Sequence, residues 1–187
     1  MSSRFNFIPT VLSGVWIAER EMFEDNRGAL GRIFCAEEFS KIGLEKPIVQ
    51  VNYSLTRTKG NVRGLHFQYP PHTETKIVSC LKGKILDVAV DLRHGSKTFL
   101  LWHGEILSSE NRRSMFIPEG FAHGFQALTD NCEMVYFHSG FYVPESESGI
   151  NVEDKRIAID WPLPVSGLSE RDRNLIFLTD DFQGIVL

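Results

Sequence analysis

A histidine able to serve as a general base stands in the run Arg63-Gly64-Leu65-His66-Phe67-Gln68-Tyr69-Pro70-Pro71. An imidazole titrates nearer neutrality than any other side chain, so His66 could take up and return a proton at physiological pH. A second stretch, Gln50-Val51-Asn52-Tyr53-Ser54-Leu55, alternates with the period of a strand and puts Gln50, Asn52 and Ser54 on one face. That face is polar but uncharged. It reads either as an ordinary half-exposed strand or as the amide lining of a pocket for a polyhydroxyl or uracil-like ligand. Cys132 to His138 is another strand, with Met134, Tyr136 and His138 on a common face. His72, His94, His103 and His138 are read as structural or solvated.

Other chemistries find less support in the residue pattern. No second histidine lies two residues from His66, and a metal site in a β-barrel needs several histidines and carboxylates to converge, so no metal is expected. A Gly-rich phosphate loop and a GxSxG elbow are both missing. What remains is acid–base chemistry, carried by histidine, lysine, tyrosine and carboxylate side chains facing a common interior.

The elements that must position these groups are short strands. Asp25-Asn26-Arg27-Gly28 reads as a hairpin turn, and Ala36 to Ile42 as a helix of one or two turns, acidic at its start and ended by Gly43. Lys76 to Leu81, the turn Lys82-Gly83-Lys84 and Ile85 to Leu92 are expected to form a hairpin. Further strands are expected over Thr98 to Leu107, Ser114 to Ile117 and Cys132 to His138. Ser169 is placed to cap a short helix through Arg173. The apolar Ile176-Phe177-Leu178 and Phe182 suggest that the tail packs back on the body. Regularly spaced strands with Gly, Pro and Asn turns predict an antiparallel sandwich or barrel.

The chain has 187 residues, which suits one domain over 1–187 with room for a substantial core. A formal charge of −4 without a basic tract gives little reason to bind nucleic acid or anionic lipid. The three cysteines, Cys35, Cys80 and Cys132, form no CxxC pair and are expected to be reduced and structural. With no signal-peptide pattern and no long apolar run, a cytoplasmic location and no membrane partner are expected.

Several motifs occur together and in order: Arg63-Gly-x-His66-x-Gln68-x-Pro-Pro, Lys76-Ile-Val, Asp87-Val-Ala-Val-Asp91-Leu-Arg93, Leu107-Ser-Ser-Glu-Asn111, Ile117-Pro-x-Gly-Phe-Ala-His123-Gly-Phe125, Pro144-Glu-Ser-Glu147 and Ile159-x-Trp161-Pro162. In this the chain resembles the dTDP-4-dehydrorhamnose 3,5-epimerase family from about Phe7 to Asp172. The resemblance implies a cupin-type jelly roll, all-β and antiparallel with a few short peripheral helices, and a homodimer. It further implies action on a nucleotide-diphosphate-linked 4-keto-6-deoxyhexose, without metal or cofactor. By the same resemblance His66 is the base, Asp172 its orienting partner, Lys76 the group that holds the enolate oxygen, and Tyr136 the acid on the far side of the sugar. Substrate contacts map onto Arg27, Gln50, Asn52, Arg63, His123, Tyr142, Glu147 and Arg171, the arginines gripping the diphosphate.

The chain departs from the family pattern at three positions. Arg32 stands where an acidic residue is usual, Glu74 where a glutamine precedes the lysine motif, and Phe141 replaces one of two adjacent tyrosines. Arg32 reverses the sign of a nucleotide contact, which opens the choice to a CDP-linked sugar, and inversion at C3, at C5 or at both is compatible with the pattern. A ketoisomerase or a non-catalytic sugar-binding protein could occupy the same scaffold.

Overall fold

The computed structural model describes residues 3–187. Strands β1 (Phe5–Pro9) and β2 (Trp16–Arg20) precede a hairpin of β3 (Met22–Asp25) and β4 (Gly28–Gly31), followed by helix α1 (Ala36–Ser40). Then come β5 (Gln50–Thr56), β6 (Val62–Gln68), β7 (Lys76–Lys82) and β8 (Lys84–Asp91). β9 (Trp102–Ser108), β10 (Arg113–Ile117), β11 (Phe121–Ala127) and β12 (Cys132–His138) complete the body, with β13 (Glu147–Gly149) and helix α2 (Glu170–Arg173) toward the C-terminus.

The strands form two facing antiparallel sheets. One is six-stranded in the order β1-β2-β10-β7-β12-β5, the other five-stranded in the order β13-β6-β11-β8-β9, and β3-β4 stands apart as a two-stranded ribbon. This is a cupin-type jelly roll. The strand face periodicity explains its layers. Ile85, Ala89, Leu107 and Phe125 of the five-stranded sheet meet Ile17, Val78, Met115 and Met134 of the six-stranded sheet in the central core. The outer face of the five-stranded sheet, carrying Leu86, Val88 and Val90, is covered by Ile150, Val152, Ile157, Leu178 and Ile185 of the C-terminal segment. Phe39 of α1 covers Phe5, Ile77 and Phe116 on the outer face of the other sheet. Phe39 is fully buried, and burying a phenylalanine contributes about 1.5–3 kcal/mol, so the short α1 is held by packing rather than by its own length.

Two expectations need correction. β7 and β8 are consecutive but do not pair: β7 lies between β10 and β12, and β8 between β9 and β11, in opposite sheets. Both strands are buried on both faces over most of their length, so alternation could not reveal which neighbours they take. The strand expected from Thr98 starts at Trp102 instead. Ser96 and Thr98 donate hydroxyl hydrogen bonds to the buried Asp91, and this ties the preceding residues into a turn. In the tail Leu178 is buried and Phe182 packs against the sheet, while Ile176 and Phe177 remain exposed. No helix among the described residues is long and apolar enough to cross a membrane.

Candidate active site

A cavity of about 520 Å³ is lined from both sheets. The five-stranded sheet contributes Arg63 and His66 from β6 and His123 from β11. Facing them, the six-stranded sheet contributes Gln50, Asn52 and Ser54 of β5, Lys76 of β7, and Tyr136 and His138 of β12. The amide face of β5 is therefore a pocket wall, and its alternate residues Val51 and Tyr53 are exposed.

His66 is positioned by the far end of the chain. Ser169 caps α2 by accepting a hydrogen bond from the Asp172 backbone N–H at 3.0 Å, which sets the buried Asp172 carboxylate against β6. Asp172 Oδ1 lies 2.7 Å from His66 Nε2. Burial pushes the Asp172 carboxyl up, but the hydrogen bond from His66, with bonds from Ser169 and the Gly64 amide, outweighs this and holds it below the usual carboxylate range. The carboxylate is thus an acceptor, His66 Nε2–H is the donor, and the imidazole lone pair resides on Nδ1.

In a regular strand Arg63 and His66 would face opposite sides, yet both line the cavity. The β6–β11 register slips between His123 and Phe125, and this resets the parity. Gly64 sits at the slip with φ of 114°, and a Cβ there would lie 2.7 Å from both the Gly124 Cα and the His123 carbonyl oxygen. Only glycine suits this approach.

Lys76 is nearly enclosed, with Nζ 3.2 Å from Glu74 Oε1 and 3.4 Å from the His66 carbonyl oxygen. The Tyr136 hydroxyl lies 3.1 Å from Ser54 Oγ. Burial pushes this phenol well above its ordinary range, against the opposing pull of Ser54, so it is protonated at neutral pH. His123 Nε2 bonds Asp87 Oδ1 at 2.7 Å; Asp87 is fully buried, its other oxygen has no partner among the described residues, and burial raises its carboxyl despite the nearby imidazole. At the rim Arg171 Nη2 pairs with Glu147 Oε1 at 2.5 Å beside the half-exposed Tyr142.

The structure thus brings together all but one of the residues singled out in the sequence. His66, Lys76 and Tyr136 line the cavity, as do Gln50, Asn52, Arg63, His123, Tyr142 and Glu147, while Asp172 and Arg171 reach it through His66 and Glu147. Arg27 is the exception. It lies at the tip of the β3–β4 ribbon, highly exposed and paired with Asp25 at 2.6 Å, and does not line the cavity in this chain. Arg32 has its charge engaged by Glu38 at 2.7 Å. Two groups that line the cavity had been given no role in the sequence reading: Glu74, noted only as a departure from the family pattern, which lies beside Lys76, and His138, read as structural or solvated, which is buried and bonded to Glu74; Asp87 stands behind His123. The shared face of Tyr136 and His138 was the available signal for His138.

The model of the dTDP-4-dehydrorhamnose 3,5-epimerase family matches residues 9–180. The chain belongs to this family. A dTDP-4-dehydrorhamnose 3,5-epimerase of Methanothermobacter thermautotrophicus is 47% identical over 175 residues, covering 92% of this chain and 94% of the relative. Among solved structures of the family, the enzyme of Legionella pneumophila in complex with dTDP-4-keto-L-rhamnose superposes with a TM-score of 0.91 at 40% identity, covering 98% of each chain. A 3'-monoepimerase of Streptomyces bikiniensis in complex with dTDP-quinovose superposes with a TM-score of 0.83 at 32% identity, over 90% of this chain and 86% of that one. Relatives of both the double and the single epimerase type thus share this fold.

Proposed function

We propose that the chain epimerises a dTDP-linked 4-keto-6-deoxyhexose at C3, C5 or both, by removing a proton next to the ketone and returning one to the opposite face. The observation that carries this reading is the placement of an Asp172-oriented His66 and a protonated Tyr136 on opposed sheets around one cavity, with Lys76 beside them. A proton on carbon α to a ketone is only weakly acidic, so the reaction needs a base, a holder for the enolate oxygen and an acid on the other face. His66 Nδ1 takes the proton, and Asp172 stabilises the imidazolium so formed. The Lys76 ammonium holds the C4 oxygen as it gains charge. Tyr136 delivers a proton from the six-stranded sheet, after which the ketone re-forms. Arg63, with Gln50 and Asn52, supplies polar contacts for the diphosphate and sugar, and Arg171, tied to Glu147, extends them at the rim.

A second copy of the chain completes the site. Among the described residues the β3–β4 ribbon pairs with no other strand, its residues Phe23 and Leu30 are exposed, and Val51 and Tyr53 form an apolar face on the edge strand β5. A homodimer in which the ribbon crosses to the partner would cover these surfaces and carry Arg27 toward the partner's cavity. The unpaired cysteines suit a reducing compartment, and the cytoplasm is the proposed location.

Incubation with dTDP-4-keto-6-deoxyglucose in heavy water tests the reaction. Deuterium at C3, C5 or both, read by NMR, is the expected outcome, with CDP- and UDP-linked sugars run alongside. No incorporation into any of the three would refute the reading, and a shifted carbonyl in the product would indicate a ketoisomerase instead.

A further inference from the structure

Glu74 and His138 form an ionisable pair in the cavity that the proposed proton transfers do not use. Glu74 Oε2 lies 2.8 Å from His138 Nδ1, and its other oxygen, Oε1, lies 3.2 Å from Lys76 Nζ. His138 Nε2 lies 3.4 Å from Asn52 Nδ2, Asn52 Oδ1 accepts from Gln50 Nε2 at 3.2 Å, and Gln50 Oε1 accepts from the Tyr142 backbone N–H at 3.3 Å. The five links make one chain from the rim to the lysine.

Donor and acceptor roles along this chain follow from its two ends. A backbone N–H can only donate, so Tyr142 fixes Gln50 with its oxygen outward and its amino group toward Asn52. Asn52 then presents its own amino group to His138, which can accept it only through a lone pair on Nε2. The imidazole proton must therefore be on Nδ1, where it is donated to Glu74. Lys76 donates to Glu74 from the other side. Glu74 is thus the common acceptor of both, held ionised: burial raises its carboxyl, but the hydrogen bond from His138 and the charge and hydrogen bond of Lys76 overcome this and lower it.

We propose that Glu74 and His138 are positioning residues for Lys76, linked to Asn52, Gln50 and Tyr142 by a one-directional hydrogen-bond relay that holds only while His138 is neutral. This inference rests on the role of Lys76 proposed above. A proton added to His138 Nε2 would face the Asn52 amino group, donor against donor, and the amides cannot turn to suit it without abandoning the Tyr142 N–H. The second positive charge would also compete with Lys76 for Glu74. The relay breaks at its middle, and the ammonium loses the carboxylate that sets its place.

The ionisable surroundings of His138 do not offer a replacement partner for that proton. From the β7 side they are Glu74 and Lys76; from its own strand Tyr136, whose ring lies 6.2 Å away between centroids; and from the opposite sheet Arg63, His66 and His123. At the rim, Tyr142 and Glu147 are already engaged with Arg171. β5 contributes the neutral amides of Gln50 and Asn52, Ser54, and Tyr53, whose phenol is engaged with Glu133. Among the described residues Glu74 is the one carboxylate bonded to His138.

The test combines variants with a measurement that needs no turnover. In E74Q the carboxamide would turn its amino group toward either Lys76 or His138 Nδ1–H, both donors, so kcat falls by about tenfold while KM changes by less than about twofold. H138A loses activity similarly. H138Q, whose carboxamide can accept from Asn52 and donate to Glu74 without titrating, recovers most of that loss. Because His66 must also be neutral to act as a base, log kcat/KM of the wild type should fall on the acid side with a slope steeper than about 1, and that of H138Q with a slope of about 1. Nitrogen-15 NMR of the unliganded protein at pH 7.5, with H138Q to assign the signal, should show the Nδ1–H tautomer at His138. An Nε2–H tautomer, an unchanged slope in H138Q, or H138Q no better than H138A would overturn the relay. A wild type with no turnover would refute the proposed reaction instead, and the tautomer would still decide the relay.

Discussion

Substitution of Asp172 by asparagine separates the charge of the dyad from its shape. The Ser169 cap depends on the backbone N–H at this position and survives the change, and the carboxamide has nearly the volume of the carboxylate it replaces. The carboxamide oxygen can still accept from His66 Nε2–H, so the ring keeps its orientation. What is lost is the ionic character of a 2.7 Å bond in a site where the carboxylate is almost fully buried. A hydrogen bond to a charged group is worth about 1.5–3 kcal/mol, and here that difference grows as His66 becomes an imidazolium. At about 1.4 kcal/mol per factor of ten, kcat/KM should fall by about 10- to 150-fold. Steady-state kinetics measures the loss, and single-turnover exchange in heavy water should show the same factor for proton removal. Activity within about twofold of the wild type would refute the assigned role of Asp172. So would lost turnover with undiminished exchange, because the defect would then lie after proton abstraction.

Other expectations follow from the same geometry. If the β3–β4 ribbon carries Arg27 into a partner's cavity, R27A and H66N each lose activity but regain part of it when unfolded and refolded together, since mixed dimers then contain one intact site; no recovery in a mixture shown to exchange subunits would count against the crossed dimer. Asp91 is fully buried, and although burial raises its carboxyl, bonds from Arg93, Ser96 and Thr98 prevail and lower it. A group depressed on folding stabilises the protein above its unfolded pKa, and that stability is lost as the pH falls through its native value. D91N should therefore cost about 3 kcal/mol in urea unfolding at pH 7, with the gap to the wild type closing toward acid pH; a gap independent of pH would contradict it.

Much of the site was legible because its residues sit in short local patterns. The alternation of Gln50, Asn52 and Ser54 exposed a pocket wall, and the motifs around His66, Lys76 and His123 gave the family and its ordered set of groups. The Ser169 cap was visible as a serine before an acidic turn. Pairings that cross the chain were not legible from local pattern. Nothing near Asp172 in sequence announces that it bonds His66, and only the resemblance joined them. The separation of β7 and β8 into different sheets was hidden because strands buried on both faces lose the alternation that would orient them. The pairing of Glu74 with His138 escaped for a related reason: they are far apart in sequence, and β7 and β12 become neighbours only in the folded sheet. The apparent conflict between Arg63 and His66 came from assuming a regular strand where the register slips at Gly64.

The central claim is that His66 removes a proton on one side of the sugar and Tyr136 returns one on the other. Its most direct measurement is the site-resolved uptake of deuterium at C3 and C5 by the wild type, H66N and Y136F, followed alongside product stereochemistry. Uptake and inversion in the wild type, neither in H66N, and continued uptake with much reduced inversion in Y136F are the predicted results. Uptake by H66N at the wild-type rate, or an equal loss of uptake and inversion in Y136F, would contradict the two-faced mechanism.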